Sequence, residues 1–215
     1  MKKLLVFASG TSQGGGSGFK VLAQNARSGL LDGEIVGVVS HHRKGGVRKI
    51  ADTYGVCFEL LTGPFNSTSY QEIIRKYKPD FIALSGWLKK TISLDSRKTI
   101  NIHPGPLPRF GGKGMYGHHV HKAVLSAFQA NELKHSAVTM HFVTEEFDQG
   151  PVIFRRNVDI LAHDSVDTLA SRVNIAEHDW QTTITNLVLR GLISWDGKNQ
   201  NSLVVPSWYH CHGQY

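Results

Sequence analysis

The chain has 215 residues, enough for one domain with a sizeable core and too few for a second large module beside it. Hydrophobic content of 40% with charged content of 19% excludes disorder and coiled coil, and no apolar run approaches the roughly 18 residues that span a bilayer. Lys and Arg number 24 against 17 Asp and Glu, a formal charge of +7 that suits an anionic partner. The charge is scattered, with short groupings only at 42–44, 89–90 and 155–156, so most of it reads as solvated surface. Cys57 and Cys211 make no disulfide framework, which points to a cytoplasmic protein.

The opening MKKLLVFASG places two lysines before an apolar stretch. That stretch, Leu4 to Ala8, falls short of the roughly 7–15 residues of a signal-peptide core and reads as a first, buried strand. A glycine-rich loop follows, then a helical pattern from about Phe19 to Ser28, a strand over 34–40, and a short helix over 47–54 that Gly55 is placed to end. A strand over 56–61, a helix over 69–77 stopped by Pro79, and strands over 80–85 and 99–103 complete the first half. This alternation predicts a doubly wound, mostly parallel α/β sheet of Rossmann type with helices on both faces. The segment 104–117 holds Pro104, Pro106, Pro108 and five glycines; regular structure is excluded there, and so long a loop in a compact domain is usually functional or disordered. A helix over 118–128, strands over 137–143 and 152–160, and a long helix capped by Asp164 or Ser165 and ended near Gly191 follow. With no repeats and no linker, residues 1–215 read as one domain, of which about 196–215 is a signal-poor tail.

In such sheets ligands gather at the carboxyl ends of the strands, near the switch in strand order. Three segments fall there. The loop SGTSQGGGSG, residues 9–18, precedes a helix, where backbone N–H groups hold phosphate and glycines allow close approach; it matches neither GxxxxGK[ST] nor GxGxxG, and a flexible turn is the plain alternative. In INIHPGPLPRFGG, residues 100–112, Asn101 and His103 point to one face of a strand end, an amide donor beside an imidazole as acyl transfer requires. The plain alternative is a buried histidine satisfied by backbone. A reversal at Asp148-Gln149-Gly150 would bring Asp148 to His103, to orient the imidazole and raise its pKa above the free value of about 6.5, unless Asp148 is only an Asx-turn residue.

NIHP-x-x-LP, then HFVTEExDxGPVI and RVNIAEH, resemble in order and spacing the phosphoribosylglycinamide formyltransferases, within the wider group of folate-dependent formyl-transfer domains. The resemblance covers about residues 4–195. It implies Asn101, His103 and Asp148 as catalytic residues, and 10-formyltetrahydrofolate as co-substrate, held by Leu88, Lys89, Lys90, Thr91 and Asn101 together with Thr144, Glu145, Glu146, Phe147 and Asp148. It implies that Gly16, Ser17 and Gly18 bind the phosphate of a ribosyl-glycinamide acceptor, and that Asn174 to Glu177 contacts the same ribonucleotide, with Glu177 its hydroxyl partner. The chain would act as monomer or homodimer on small molecules, with no metal, nucleic-acid or membrane partner. Departures are an extra SQGG in the first loop, Gly18 where the motif usually reads G-S-N, Gly105-Pro106 for Ser-Leu, the expanded GGKGMYGHHVH, and no arginine near Thr68 or Ser69.

Rival readings are an amino-sugar formyltransferase, and a non-catalytic phosphate- or nucleic-acid-binding protein. A methionyl-tRNA formyltransferase would need a further C-terminal domain, and a formyltetrahydrofolate hydrolase a further N-terminal one. His118, His119 and His121 lack accompanying metal-ligand spacing, as does His210-Cys211-His212, and Trp87, Trp180, Trp195 and Trp208 form no RNP-like motif.

Overall fold

A computed structural model describes residues 1–208. Its sheet is organised by β1 (Lys2–Phe7). Leu4 and Val6 bury into one core, and Leu5 and Phe7 into another on the opposite face. A strand apolar on both sides belongs in the middle of a covered parallel sheet, and β1 pairs with β2 (Gly33–Ser40) on one edge and β4 (Phe81–Ser85) on the other. With β3 (Phe58–Leu60), β5 (Thr99–His103), β6 (His135–Phe142) and β7 (Val152–Asp159), the order is β3-β2-β1-β4-β5-β6-β7. Strands β1 to β5 are mutually parallel, and β6 runs antiparallel to both its neighbours. The third strand spans fewer residues than the 56–61 expected from sequence, because it lies at the sheet edge with only β2 to pair it.

From β1 to β3 the chain winds one way along the sheet, and from β3 to β4 it crosses back. Right-handed crossovers therefore put the connecting helices on opposite faces. Residues of α1 (Ser17–Arg27), α2 (Gly46–Tyr54), α4 (His118–Gln129) and α5 (Val166–Leu189) enter the larger core, and those of α3 (Ser67–Tyr77) the smaller. Local chemistry sets the ends. The Asn66 side chain accepts from Ser69 N at 3.1 Å to start α3, Ser165 and Thr168 form a capping box at α5, and Gly55 (φ 68°) closes α2 in the left-handed region. Past α5, Trp195 is buried and its indole donates to Asn199 O at 2.8 Å, while Ser194 bridges Val204. Residues 196–204, poor in sequence signal, are thus pinned back on the domain. Among the described residues no helix is long and apolar enough to cross a membrane.

The smaller core, under α3, ends at Trp87 and Val143. Beyond them the same face of β5 and β6 carries Asn101, His103, Thr139 and His141, opposite the inward-facing Ile100, Ile102, Val138 and Met140. A polar patch thus opens at the carboxyl end of the sheet. The turn from β6 to β7 that borders it depends on Gly150, where a Cβ would overlap the Phe142 carbonyl oxygen. Backbone stands on both sides of that contact, so Gly150→Ala should cost about 1–3 kcal/mol and lower Tm by several degrees, whereas Gln149→Ala should leave Tm within about one degree; differential scanning calorimetry reads both.

Candidate active site

The loops after β1 and β4 are tied together where the strand order reverses. Ser9 N donates to Gly86 O at 3.1 Å, and Leu88 N donates to Ser9 Oγ at 2.9 Å. Gly16, left-handed at φ 87°, turns the chain into α1 and has no side chain to cap it, so the first N–H groups of the helix face outward. The extra SQGG segment folds aside. Thr11 N and Gly46 N both donate to Gly14 O, holding the insertion against the start of α2. Gly16, Ser17 and Gly18 therefore keep their place and line a pocket of about 120 Å³ with Ser85, Gly86, Asn174, Glu177 and Gln181. A Cβ at Gly18 would overlap Ser85 Oγ and stand 3.0 Å from Gln181 Oε1, which accounts for a glycine where the resembling motif has Asn. Across the pocket, Asn174 Nδ2 donates to Glu177 Oε2 at 3.2 Å and to Ser17 Oγ at 3.4 Å. Burial pushes the Glu177 carboxyl up to about 7, against the pull of Asn174.

Asn101, His103 and Asp148 come together at the polar end of β5. Asp148 Oδ2 lies 3.7 Å from His103 Nδ1, and Asp148 Oδ1 lies 3.4 Å from Asn101 Nδ2. Asp148 is left-handed at φ 56°, a conformation that short polar residues tolerate best, and it accepts from Gly112 N at 2.9 Å. Gly111 lets the loop pass, since a Cβ there would sit 2.9 Å from Asp148 Cβ. His103 is buried, and its Nε2–H donates to Phe110 O at 2.7 Å. The loop that supplies this carbonyl is fastened to the sheet by Thr139 Oγ1, which donates to Gly105 O at 2.7 Å.

The charge states differ from the sequence expectation. Burial lowers the His103 pKa, and this outweighs the raising effects of Asp148 and the Phe110 carbonyl. The resting imidazole is therefore neutral, where Asp148 alone would have raised its pKa. Burial pushes Asp148 up, but the His141 hydrogen bond, the nearby His103 and the Gly112 N–H together hold it below its ordinary value and ionised.

His141 was not singled out by the sequence reading. It stands directly opposite Asn101 in the β5–β6 register, with its Nε2 3.0 Å from Asn101 Nδ2 and 3.4 Å from Asp148 Oδ1. Its Nδ1–H donates to Phe142 O at 2.7 Å, and its Nε2 faces both Asn101 Nδ2 and Asp148 Oδ1, accepting from the amide when the ring is neutral and donating to the carboxylate when it is protonated. Its one visible signal was parity with Val143, which faces the same side of the strand. Without the cross-strand register that parity names no partner.

A second pocket lies behind this cluster. Leu84, Trp87 and Val143 form its apolar wall, and Lys89, Lys90, Thr91, Asn101, His141, Thr144, Glu145, Glu146, Phe147 and Asp148 complete it. Of the residues assigned to the folate by resemblance, Leu88 alone is elsewhere. It is exposed and lines a central cleft of about 970 Å³, where its backbone tie to Ser9 directs it. That cleft also contains Asn101, His103, Asp148 and Glu177, and so joins both pockets. The histidines of α4 diverge. His118 pairs with Asp167 at 3.3 Å, His119 lies edge-on to Tyr116, and His121 is buried. Trp195 packs into the core and Trp180 lies against Phe154. His210-Cys211-His212 lies outside the described residues.

Residues 2–185 match the family described as formyl transferase. Among curated relatives, the chloroplastic phosphoribosylglycinamide formyltransferase of Arabidopsis thaliana is 33% identical over 90% of this chain and 68% of its own. The phosphoribosylglycinamide formyltransferase of Bacillus subtilis is 28% identical over 88% of this chain and 95% of its own. Among solved structures, glycinamide ribonucleotide transformylase 1 from Symbiobacterium toebii shares the fold with a TM-score of 0.81 at 22% identity, over 96% of this chain and 95% of its own.

The raised Glu177 carboxyl makes a stability prediction. An ordinary glutamate carboxyl titrates near 4.5, and in the folded chain this one is raised to about 7. Between these values the folded chain holds a proton that the unfolded chain has released, so this group's contribution is intact below about pH 4.5 and is lost as pH rises through about 7. Glu177→Gln removes that dependence. Its Tm relative to the parent should climb from pH 4.5 to 7 and level off above, and a difference independent of pH would sink the assignment.

Proposed function

The chain belongs to the formyl transferase family, and we propose that it transfers the formyl group of 10-formyltetrahydrofolate to the amine of 5-phosphoribosyl-glycinamide, a step of purine biosynthesis. The observation that carries this reading is the placement of Asn101, His103 and Asp148 in a cleft that joins two unlike pockets. The pocket behind Asn101 offers an apolar wall with Trp87 and a polar rim, which suits a flat, hydrogen-bonding ring such as the folate's. The other pocket, at the uncapped start of α1, suits the acceptor's phosphate. The names of the relatives agree with phosphoribosylglycinamide as the acceptor and formyl as the group transferred. An amino sugar without phosphate would leave the anion pocket unused. A mere phosphate binder would leave the three-residue cluster unexplained.

The acceptor amine attacks the formyl carbon, forming a carbon–nitrogen bond and an oxyanion; the bond to the folate nitrogen then breaks. Asn101 supplies a fixed amide donor beside the developing oxyanion. His103 starts neutral and turned by Phe110, and gains a partner for its Nδ1–H only when it becomes charged beside Asp148. The His103–Asp148 pair thus responds to charge as it develops, and carries the proton that the attacking nitrogen loses and the departing folate nitrogen gains. Catalysis on this account uses side chains alone. Unpaired Cys57 fits a cytoplasmic setting, although three plant relatives are named chloroplastic.

An absorbance assay with a 10-formylfolate donor should show turnover with glycinamide ribonucleotide and none with amino sugars; the opposite pattern would overturn the acceptor assignment. In the same assay Asp148→Asn should lower kcat by about 10²–10⁴, with kcat/KM falling in parallel. Asn is at ease at φ 56°, so Tm should stay close to that of the parent. If Asp148 served only the turn, Tm would drop and kcat would hold.

A further inference from the structure

The anion pocket contains a feature that the reaction above does not use. Gln181 is 1% exposed, yet its side-chain oxygen has no hydrogen-bond partner among the described residues. An unsatisfied amide in so closed a place calls for an explanation. It projects from α5 one turn beyond Glu177, on the helix face turned toward α1. Its oxygen and Ser85 Oγ, from the end of β4, both stand close to the point that a Cβ on Gly18 would occupy. No Lys or Arg lines this pocket. An anion there must be held by dipoles: the free N–H groups of the first turn of α1, hydroxyls and amides.

We infer that Gln181 and Ser85 are contact residues for the acceptor's phosphate, donating to it through the side-chain amide and the hydroxyl from the side on which α1 presents only Gly18. A side-chain amide has a donor edge and an acceptor edge, and turns its NH₂ toward an anion. The niche is built for this approach. A side chain at position 18 would fill the point where the two groups meet, so the amide that reads the phosphate comes from α5 and not from the first turn of α1. Glu177, close by and half protonated at about pH 7, spares the pocket most of a second negative charge below that pH. The inference rests on the reading that this pocket takes a phosphorylated acceptor.

Calorimetric titration with ribose 5-phosphate and steady-state kinetics with glycinamide ribonucleotide test the two readings separately. Gln181→Leu keeps the bulk and removes the donors. It should weaken ribose 5-phosphate binding and raise the ribonucleotide KM by about tenfold, the effect of losing a charge-assisted hydrogen bond, with the folate KM within twofold. Ser85→Ala should act in the same direction. Gly18→Ala, which crowds the niche from the other side, should also weaken ribose 5-phosphate and keeps the test open should Gln181→Leu not fold. Unchanged ribose 5-phosphate affinity in folded Gln181→Leu and Ser85→Ala would overturn the inference, as would equal rises in both KM values. If the parent binds ribose 5-phosphate through these residues but does not formylate glycinamide ribonucleotide, the acceptor reading falls and the niche stands. If the parent turns the ribonucleotide over and the variants match it, the niche alone falls.

Discussion

Asp148 brings a carboxylate to a place that water barely reaches, and the surrounding architecture exists to keep it ionised there. An isolated buried carboxylate would take up a proton. Here the Gly112 N–H, His141 and the nearby His103 surround its two oxygens. Those partners come from three separate places: a glycine-rich loop, β6 and β5. Each must therefore be held in register independently. The left-handed backbone at Asp148 aims the carboxylate back at the sheet, and Gly111 gives the loop room to pass over it. Thr139 ties down the start of that loop. The proline- and glycine-rich composition of 104–117 is the consequence of delivering one backbone donor to a carboxylate while another carbonyl turns His103.

Strand order decides where this arrangement can sit. Only between β1 and β4 do the loops diverge to opposite faces, which leaves a crevice above the carboxyl ends. The two cores make that crevice asymmetric. Four helices cover one face, so the inward residues of β5 and β6 there are apolar apart from Ser136. On the other face α3 covers only the strands nearest β1, and past Trp87 and Val143 side chains must satisfy themselves with hydrogen bonds. Asn101, His103, Thr139 and His141 form that replacement layer. The polar cluster and the edge of the smaller core are the same boundary seen from two sides.

Most of the fold was legible because its signals are local: continuous apolar runs for the parallel strands, Gly55 and Gly191 after helices, the Ser165 cap. The same holds for Asn101 and His103, two residues apart on one strand and so on one face by strand geometry alone. What the sequence left open depends on register and on burial. His141 acquires its meaning only from lying opposite Asn101 across an antiparallel pair, and no spacing along the chain encodes that offset. The charge of His103 was misread because the attraction of a nearby carboxylate can be guessed from a motif, whereas the desolvation that outweighs it requires knowing how closely the loop at Phe110 covers the ring. Gln181 went unnoticed for a related reason. An amide within a 24-residue helix looks like any other polar face until α1 is packed against it.

The two half-buried carboxyls of the cleft show how one fold sets opposite charge states within one site. Asp148 and Glu177 both lose water, and for each of them burial favours the neutral form. They part company over partners. Asp148 has histidines and a backbone N–H, which reverse the effect of burial; Glu177 has the single neutral amide of Asn174, which does not. On the proposed reaction the ionised carboxyl stands where charge moves during acyl transfer, and the one that is half protonated near neutrality stands beside the pocket proposed for the phosphate. The net charge of +7 plays a different part. With no Lys or Arg among the described residues that line the proposed phosphate pocket, positive charge would act there at long range, drawing anionic substrates toward the protein in a manner that salt screens. Recognition at the pocket itself then falls to oriented backbone and side-chain dipoles, whose strength depends on geometry and much less on ionic strength.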